Sequence, residues 1–238
     1  MTIRITEVID RSPQGITRPF LCRAEDEQQY FVKGRGAGNR ALISEWLAGN
    51  LGLRLDLPIP PIAKVLIPNE LIQFSAREDI PELGAGIGFG SRVVANVDEL
   101  TYLFIGQIAP RVRARILLFD WWVCNGDRTL TPDGGNPNLL WCHRDQKLHV
   151  IDQNLAFEDA TMHGFWEEHI FRDSVIEWTA DFRDEMSGIM VAAIADLPRL
   201  WDQIPESWTE VDSGLSLASV RGLLSRFERD PGTFWKAQ

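Results

Sequence analysis

Three short segments in the second half of the chain place acidic and amide side chains beside apolar residues. They are Asn125-Gly126-Asp127-Arg128, then Asn136-Pro137-Asn138 with Leu139-Leu140-Trp141 after it, and finally Val150-Ile151-Asp152. An acid that follows an apolar helix can face a hydroxyl nucleophile, while an amide and a second acid beside short strands can hold Mg²⁺ against the phosphates of a nucleotide. The pattern therefore predicts phosphoryl transfer from a nucleotide to an alcohol.

A lysine and a glutamate in the first half of the chain could complete such a site. Tyr30-Phe31-Val32-Lys33 alternates as a strand does, so Lys33 shares a face with Phe31 and could contact phosphate oxygens. Glu45 has small or apolar residues as its helical neighbours, and a partly buried carboxylate without a partner is costly. We therefore predict that Glu45 pairs with Lys33. A lysine at a strand end in water and a solvent-facing glutamate are the alternatives.

These segments together resemble the HipA-like kinases, which are distant relatives of the protein kinases. The Asn-x-Asp-Arg and Ile-Asp segments are also more loosely similar to phosphatidylinositol 4-kinases. The resemblance covers most of the chain and implies an α+β, protein-kinase-like two-lobed fold, with a β-rich N-lobe and a mainly α-helical C-lobe. It further implies a phosphotransferase that depends on ATP and Mg²⁺ and acts on a serine or threonine of a protein.

The resemblance also implies a role for individual residues. Asp127 matches the catalytic base that orients the nucleophile, Lys33 the lysine on the phosphates, and Glu45 the acid that orients this lysine. Metal binding falls to Asp152 and to the amide that immediately precedes an apolar strand. That amide is Asn138, and Asn136, two residues earlier, is the alternative.

A loop between the first two predicted strands could cover the phosphates with its backbone N–H groups. It contains Ser12, Gln14 and Gly15, and with a single glycine it is equally compatible with a plain hairpin loop. Some HipA-like kinases autophosphorylate a serine in this loop, which makes Ser12 a candidate for the same modification. Val94, at the end of the last strand predicted in the first lobe, is also expected to contact the nucleotide.

Two departures from the family pattern keep other functions open. Residues 130–135 separate Asp127 from the amides by more than kinases typically show, and Gln153-Asn154 stands where related proteins often have a glycine. They motivate a nucleotide-binding pseudokinase regulator without transfer activity as one alternative. A small-molecule or lipid kinase of the same fold is the other.

The elements that must position these residues change in type along the chain. Alternation predicts a strand over 3–9 and two more on either side of 23–29, and Asn39 caps a helix whose end Gly49 and Gly52 mark. A polar connection at 95–99 divides the chain into a nucleotide-binding lobe, 1–95, and a helical lobe with the catalytic and metal-binding segments, 96–238. Further strands of the first lobe are predicted over 62–67, 71–76 and 91–94. In the second lobe we predict a buried helix over 112–124, a hairpin formed by 139–141 and 148–151, and amphipathic helices from 165 onward.

Composition limits the partners and the compartment. The chain has 238 residues, a net charge of −10 and three cysteines. This charge works against direct binding of nucleic acid or of an anionic membrane, and three cysteines fit a reducing cytoplasm better than a disulfide framework. We expect a protein or small-molecule phosphoacceptor as partner. An antitoxin-like protein partner is a further possibility by analogy with the toxin-antitoxin pairs to which HipA-like kinases often belong.

Two glycine-rich strings look like nucleotide-binding motifs. Gly34-Arg35-Gly36-Ala37-Gly38-Asn39 follows a strand and opens a helix, as in a dinucleotide-binding fold, but Asn39 occupies the place of the third glycine. Residues 84–90 precede a predicted strand rather than a helix, so no helix N-terminus is present there to hold phosphate. We expect this second string to form a mobile loop.

Overall fold

The computed structural model describes residues 2–12, 18–132, 134–210 and 213–236. Its strands are β1 (Thr2–Arg11), β2 (Phe20–Ala24), β3 (Gln29–Lys33), β4 (Ile62–Ile67), β5 (Gly86–Arg92), β6 (Asp98–Glu99), β7 (Thr129–Thr131), β8 (Gly134–Asn136), β9 (Leu139–Cys142) and β10 (Lys147–Val150). Its α-helices are α1 (Asn39–Arg54), α2 (Asn69–Gln73), α3 (Ile80–Leu83), α4 (Pro110–Val123), α5 (Phe165–Glu168), α6 (Ala180–Ala195), α7 (Leu197–Trp201), α8 (Glu206–Thr209), α9 (Leu217–Leu224), α10 (Arg226–Arg229) and α11 (Pro231–Phe234). Short 3₁₀ segments cover Arg35–Ala37, Tyr102–Gln107, Asp159–Met162 and Arg172–Glu177.

The chain divides into two compact units. The first unit comprises Met1–Trp46, Pro60–Ala95 and Ile204–Gly214, and the second comprises Leu47–Ile59, Asn96–Gln203 and Leu215–Gln238. One division point, after Ala95, is the boundary expected from the sequence. Across the described residues, no helix combines the length and the apolar character that crossing a membrane requires.

The two units are not two consecutive stretches of the chain. Residues 47–59 and 204–214 each belong to the unit that is built mainly from the other part of the sequence. Residues 47–59 belong to the second unit because they pack there: Gly52 lies against the ring of Phe119, and the Val150 amide donates to the Pro58 carbonyl at 3.0 Å. Residues 204–214 belong to the first unit, where Trp208 Nε1 donates to the Ile87 carbonyl at 2.8 Å. Such contacts between distant segments leave no trace in local composition.

A closed sheet of five strands, in the order β1-β2-β3-β5-β4, builds the first unit. The β1–β4 pair is parallel, and the other pairs are antiparallel. Alternation along β2 turns Phe20, Cys22 and Ala24 inward, as a strand with one buried face requires. The core of this unit consists of Ile5, Phe20, Cys22, Ala24, Tyr30, Val32, Val65, Ile67, Ile80 and Leu83.

The glycine-rich string at 84–90 was expected to form a mobile loop, and this expectation was wrong. Its larger part forms β5, which lies between β3 and β4 in the sheet. The glycines are needed for close packing: a Cβ on Gly88 would lie 2.8 Å from the Lys33 carbonyl oxygen, and one on Gly90 would lie 2.8 Å from a methyl group of Val65. A glycine-rich composition here reflects crowding rather than mobility.

The strand predicted over 71–76 was also wrong. The first three residues of this segment belong to helix α2. Pro68, which precedes the helix, has an extended conformation. Leu71 and Ile72 are consecutive, and both pack against the core of the first unit. A strand would turn two consecutive side chains to opposite faces, so packing of both selects the helix.

Helix α1 begins at Asn39 as predicted but extends to Arg54, beyond both glycines expected to end it. Gly52 lies inside the helix because a Cβ there would be 2.4 Å from Ile59 Cδ1. The preceding string, Gly34 to Asn39, does not build a dinucleotide-binding fold, since β3 pairs with antiparallel neighbours on both sides. Gly34 and Gly36 instead allow the chain to pass against the carbonyls of α3.

Helix α4 is the buried centre of the second unit. It starts at Pro110, ends one residue before its predicted end, and buries most of its last two turns. Three short strands, in the order β10-β9-β6, lie in the same unit and include the predicted hairpin. The indole N–H groups of Trp121 and Trp122 donate to the carbonyls of Phe234 and Leu224, so the C-terminal helices hold the end of α4.

We predict that Gly34→Ala lowers the free energy of unfolding by about 1–3 kcal/mol, the usual cost of overpacking. The new Cβ would lie 1.9 Å from the carbonyl oxygen of Leu83, which is backbone and cannot rotate away. Gly188→Ala is the matched control, because, apart from the neighbouring backbone of α6 itself, no atom of the described residues lies within 4 Å of its new Cβ in the middle of that helix. The control should gain about 1 kcal/mol from helix propensity. Urea denaturation of both variants measures the difference, and a wild-type midpoint for Gly34→Ala would contradict the packing described.

Candidate functional site

In the first unit, Lys33 and Glu45 form a buried ion pair. Lys33 Nζ donates to Glu45 Oε1 at 2.6 Å, and the two side chains are only 7% and 2% exposed. Lys33 is the last residue of β3, and Glu45 lies on α1. The predicted pairing is confirmed, and the alternatives that placed either side chain in water are wrong.

In the second unit, a second buried pair joins Asp120 near the end of α4 to Arg128. Both side chains have 0% exposure. Arg128 Nε donates to Asp120 Oδ2 at 2.7 Å, and Nη2 donates to Oδ1 at 3.3 Å. Burial alone would raise the pKa of Asp120, but Arg128 and His169 bring it below its usual value. The pair is therefore charged on both sides and bidentate, the strongest geometry for these groups.

Arg128 also holds the backbone carbonyl of Asn138 and the carbonyls of the residues just before Asn138 and Asp152, the proposed metal ligands. Its Nη1 donates to the carbonyls of Asn138 at 2.7 Å, Pro137 at 3.2 Å and Ile151 at 3.4 Å. The Ile151 amide donates to the same Asn138 carbonyl at 3.0 Å. One guanidinium thus fixes the two turns that carry Asn138 and Asp152.

Asp127, next to Arg128, presents one used and one unused carboxylate oxygen. Its Oδ2 accepts from Asn138 Nδ2 at 2.9 Å, and Asn136 Nδ2 lies farther away at 3.5 Å. Its Oδ1 is buried and has no hydrogen-bond partner among the residues that the structure describes. Burial raises the pKa of Asp127 to about 6; the nearby Asp152 carboxylate adds to the increase, and Arg128 opposes it.

The long stretch between Asp127 and the amides is a hairpin. Strands β7 and β8 pair antiparallel with Thr129 opposite Asn136, so the chain leaves the site and returns to it. Asn138 therefore reaches Asp127 despite the inserted residues. Asn136 is exposed at the end of β8, whereas Asn138 is partly buried, so the geometry favours Asn138 over Asn136 as the amide nearer the site.

Three residues around the site have left-handed backbone conformations. Cys124, which ends α4, has φ 53°, Asn138 has φ 48° and Asp152 has φ 57°. Residues other than glycine seldom adopt positive φ, and such positions often cluster at functional sites. Cys124, the last residue of the helix predicted over 112–124, is the residue that ends α4 in the left-handed conformation.

The oxygen donors of the second unit suit a hard divalent cation. Asn138 uses its amide N–H toward Asp127, which leaves its amide oxygen for a metal, and the carboxylate of Asp152 lies close enough to raise the pKa of Asp127. Carboxylate and amide oxygens are the ligands that Mg²⁺ accepts in nucleotide sites. Asp127 Oδ1, which no described residue contacts by a hydrogen bond, and the repulsion between two carboxylates both fit a bound cation and a hydroxyl donor.

The residues expected to contact the nucleotide from the predicted loop are only partly within the described chain. Gln14 and Gly15 lie outside the described residues. The Ser12 amide donates to the Pro19 carbonyl at 2.8 Å, which closes the base of the loop. Val94 is partly buried just beyond the end of β5. Their contacts with a nucleotide remain predictions.

Asp120 and His169 were not predicted from the sequence as part of the site, and Arg128 was given no role. A usable signal existed for Asp120, the single acid that interrupts the apolar end of α4. An acid buried on a helix needs a cationic partner, and Arg128 is nearby in the sequence. His169 gave no such signal, because it contacts Asp120 from 49 residues away.

Comparison with other proteins supports the assignment of these residues to one family. The family model described as HipA-like kinase matches residues 5–238 of the chain. The crystal structure of the Helicobacter pylori proinflammatory kinase CtkA is similar at a TM-score of 0.53 and 12% identity, over 97% of this chain and 94% of that chain. The Golgi casein kinase structure has a TM-score of 0.46 and 10% identity, over 98% of this chain and 72% of that chain. No curated protein sequence matches. The similarity to CtkA shows the fold, which is α+β and kinase-like as predicted.

We predict that Asp120→Asn lowers the free energy of unfolding by about 3–5 kcal/mol, because it leaves the buried Arg128 without its counter-charge. Asp56→Asn is the matched control: Asp56 also pairs with an arginine, Arg115, at 3.0 Å, but its side chain is 89% exposed. The control should cost less than about 1 kcal/mol. Chemical denaturation at neutral pH measures both variants. Equal losses would contradict the special role of the buried pair.

Proposed function

Because the chain belongs to the HipA-like kinase family, we propose that this kinase transfers the γ-phosphoryl group of ATP, with Mg²⁺, to a serine or threonine hydroxyl of a protein. The geometry at Asp127 is the main observation that supports this proposal. A buried carboxylate oxygen that has no partner among the described residues, beside a second acid and an amide, is the arrangement that accepts a hydroxyl proton at a metal-phosphate site.

In the proposed reaction, Asp127 Oδ1 accepts the proton of the acceptor hydroxyl. The hydroxyl oxygen forms a bond to the γ-phosphorus, the bond from that phosphorus to the bridging oxygen breaks, and ADP leaves. With a pKa of about 6, Asp127 is ionised at neutral pH yet basic enough to take a proton. Asn138 orients the carboxylate through the hydrogen bond to Oδ2.

We assign Asn138 and Asp152 to Mg²⁺, which when bound would neutralise charge on the phosphates. Lys33 is assigned to phosphate oxygens. Its short bond to Glu45 restrains the ammonium group, which otherwise sits on a flexible side chain. Ser12, Gln14, Gly15 and Val94 are further proposed contacts to the nucleotide.

The two alternative functions are a nucleotide-binding regulator without transfer activity and a small-molecule or lipid kinase. The hairpin β7–β8 accounts for the long stretch before Asn138, which removes one reason to expect an inactive regulator. A small-molecule or lipid kinase would use the same groups. Incubation with labelled ATP and separate protein and metabolite pools distinguishes the acceptors, and Mg-ATP binding without label on any acceptor, the chain itself included, would favour the regulator.

We predict that Asp127→Asn lowers kcat by about 10²–10⁴-fold, the usual contribution of a general base. The amide is similar in size and can still hydrogen-bond Asn138, so affinity for Mg-ATP should change little. Single-turnover transfer and calorimetric titration with Mg-ATP measure the two effects separately. Unchanged turnover would remove Asp127 from the mechanism.

We also predict that Asn138→Ala and Asn136→Ala behave differently. Asn138→Ala should raise the Mg²⁺ concentration required for half-maximal activity by more than about 10-fold, because a ligand oxygen and the bond to Asp127 are lost. Asn136→Ala should change it little, since Asn136 is exposed and its contact with Asp127 is long, at 3.5 Å. The reverse order of effects would assign the metal to Asn136.

A further inference from the structure

His169 is a buried histidine that the proposed reaction does not use. It lies between α5 and the 3₁₀ segment Arg172–Glu177, and its side chain is 1% exposed. The segment is well beyond the metal and catalytic motifs in the sequence. The imidazole ring of His169 nevertheless contacts the Asp120–Arg128 ion pair, which holds the backbone of those motifs.

The hydrogen bonds of the ring define its protonation state. The Phe171 amide donates to His169 Nδ1 at 3.0 Å, so Nδ1 is an acceptor and carries no proton. His169 Nε2, 3.0 Å from Asp120 Oδ2, must then be the N–H donor. A doubly protonated ring would direct an N–H at the Phe171 N–H. Burial lowers the pKa of His169, which also favours the neutral ring, although Asp120 opposes the shift.

The backbone around His169 is tied to Arg128 as well. The Ile170 amide donates to the Arg128 carbonyl at 3.1 Å, and Thr129 and His169 form an isolated antiparallel bridge. The Phe165 ring packs against the imidazole with a centroid distance of 4.9 Å. His169 therefore meets both the carboxylate that binds the Arg128 side chain and the strand that follows Arg128.

Asp120 Oδ2 is shared between the two donors. It accepts from Arg128 Nε at 2.7 Å and from His169 Nε2 at 3.0 Å, while Oδ1 accepts from Asn125 Nδ2 at 3.1 Å and Arg128 Nη2 at 3.3 Å. Without the imidazole, Oδ2 would keep only Arg128 Nε as a donor, and the carboxylate would lose the contact that holds it from the side of His169. Any shift of the carboxylate would move the guanidinium as well, since two nitrogens of Arg128 donate to it.

We propose that His169 is a positioning residue of the phosphotransfer site. Its Nε2–H fixes Asp120, Asp120 fixes the plane of Arg128, and Arg128 Nη1 holds the carbonyls beside Asn138 and Asp152. The proposal rests on the proposed function, since the groups that are positioned are the metal ligands of that site. It extends the site to a segment that carries no kinase motif.

The test compares two amide substitutions that differ in reach. In His169→Gln the side-chain N–H₂ can occupy the place of Nε2 and donate to Asp120, whereas in His169→Asn it ends near the place of Nδ1 and cannot. Phe165→Leu is the control for loss of packing around the imidazole without loss of a polar contact. Each variant is measured for melting temperature, for Mn²⁺ affinity in the presence of a non-hydrolysable ATP analogue, and for kcat and KM of transfer.

We expect His169→Gln to keep Mn²⁺ affinity and kcat within about threefold of wild type, and His169→Asn to lose about 10–100-fold in both, as outer-shell partners of metal ligands do. Phe165→Leu should lower the melting temperature while leaving Mn²⁺ affinity unchanged. Equal Mn²⁺ affinities for the Gln and Asn variants would overturn the proposal. So would a loss in Phe165→Leu as large as that in His169→Asn, which would indicate a purely structural role.

The tautomer provides a test that needs no substitution. Nitrogen-15 NMR of the wild-type imidazole should show a protonated Nε2 and an unprotonated Nδ1 at neutral pH. A protonated Nδ1 would overturn the proposal even if His169→Asn fails to fold. The Mn²⁺ measurement separates this inference from the proposed function: if the wild type binds Mn²⁺ with the analogue but transfers no phosphate to any acceptor, the function fails while the positioning role is still decided by the affinities.

Discussion

The buried ion pair between Asp120 and Arg128 is the constraint on which the geometry of the proposed catalytic site of this kinase depends. Five donor contacts from one guanidinium go to a carboxylate and to three carbonyls, so the position of each turn in the site follows from the position of Arg128. A buried ion pair contributes little to stability by comparison with apolar packing. Its value here is geometric, because a planar fork cannot satisfy these partners in more than one orientation.

This constraint explains how the site tolerates its departures from the family pattern. The hairpin β7–β8 adds residues between Asp127 and Asn138, but both ends of the insertion are held: Arg128 is bound to Asp120 at the first end and to the Asn138 carbonyl at the second. The turn at Asp152 is likewise held through the Ile151 carbonyl, although no glycine follows it. An insertion whose two ends are fixed can vary in length at little cost to the site.

The sequence was sufficient for features that depend on local pattern or on motifs. Alternation located the first strands, helical spacing located α1 and α4, and the acid beside small apolar residues at Glu45 predicted its pairing with Lys33. Features set by distant packing were missed. Crowding against β3 and β4 makes β5 rich in glycine, which local composition presents as a loop, and the contact of His169 with Asp120 joins positions 49 residues apart. Prediction from neighbouring residues in the sequence cannot detect packing between strands or a contact between distant positions.

The metal affinity of Arg128→Lys, measured as Mn²⁺ binding in the presence of a non-hydrolysable ATP analogue, tests directly whether the Arg128 guanidinium positions the site. A lysine keeps the charge opposite Asp120, but a single ammonium group cannot also reach the carbonyls of Asn138 and Ile151. We expect a folded protein whose Mn²⁺ affinity falls by more than about 10-fold. A folded Arg128→Lys variant with wild-type Mn²⁺ affinity would contradict this role of Arg128.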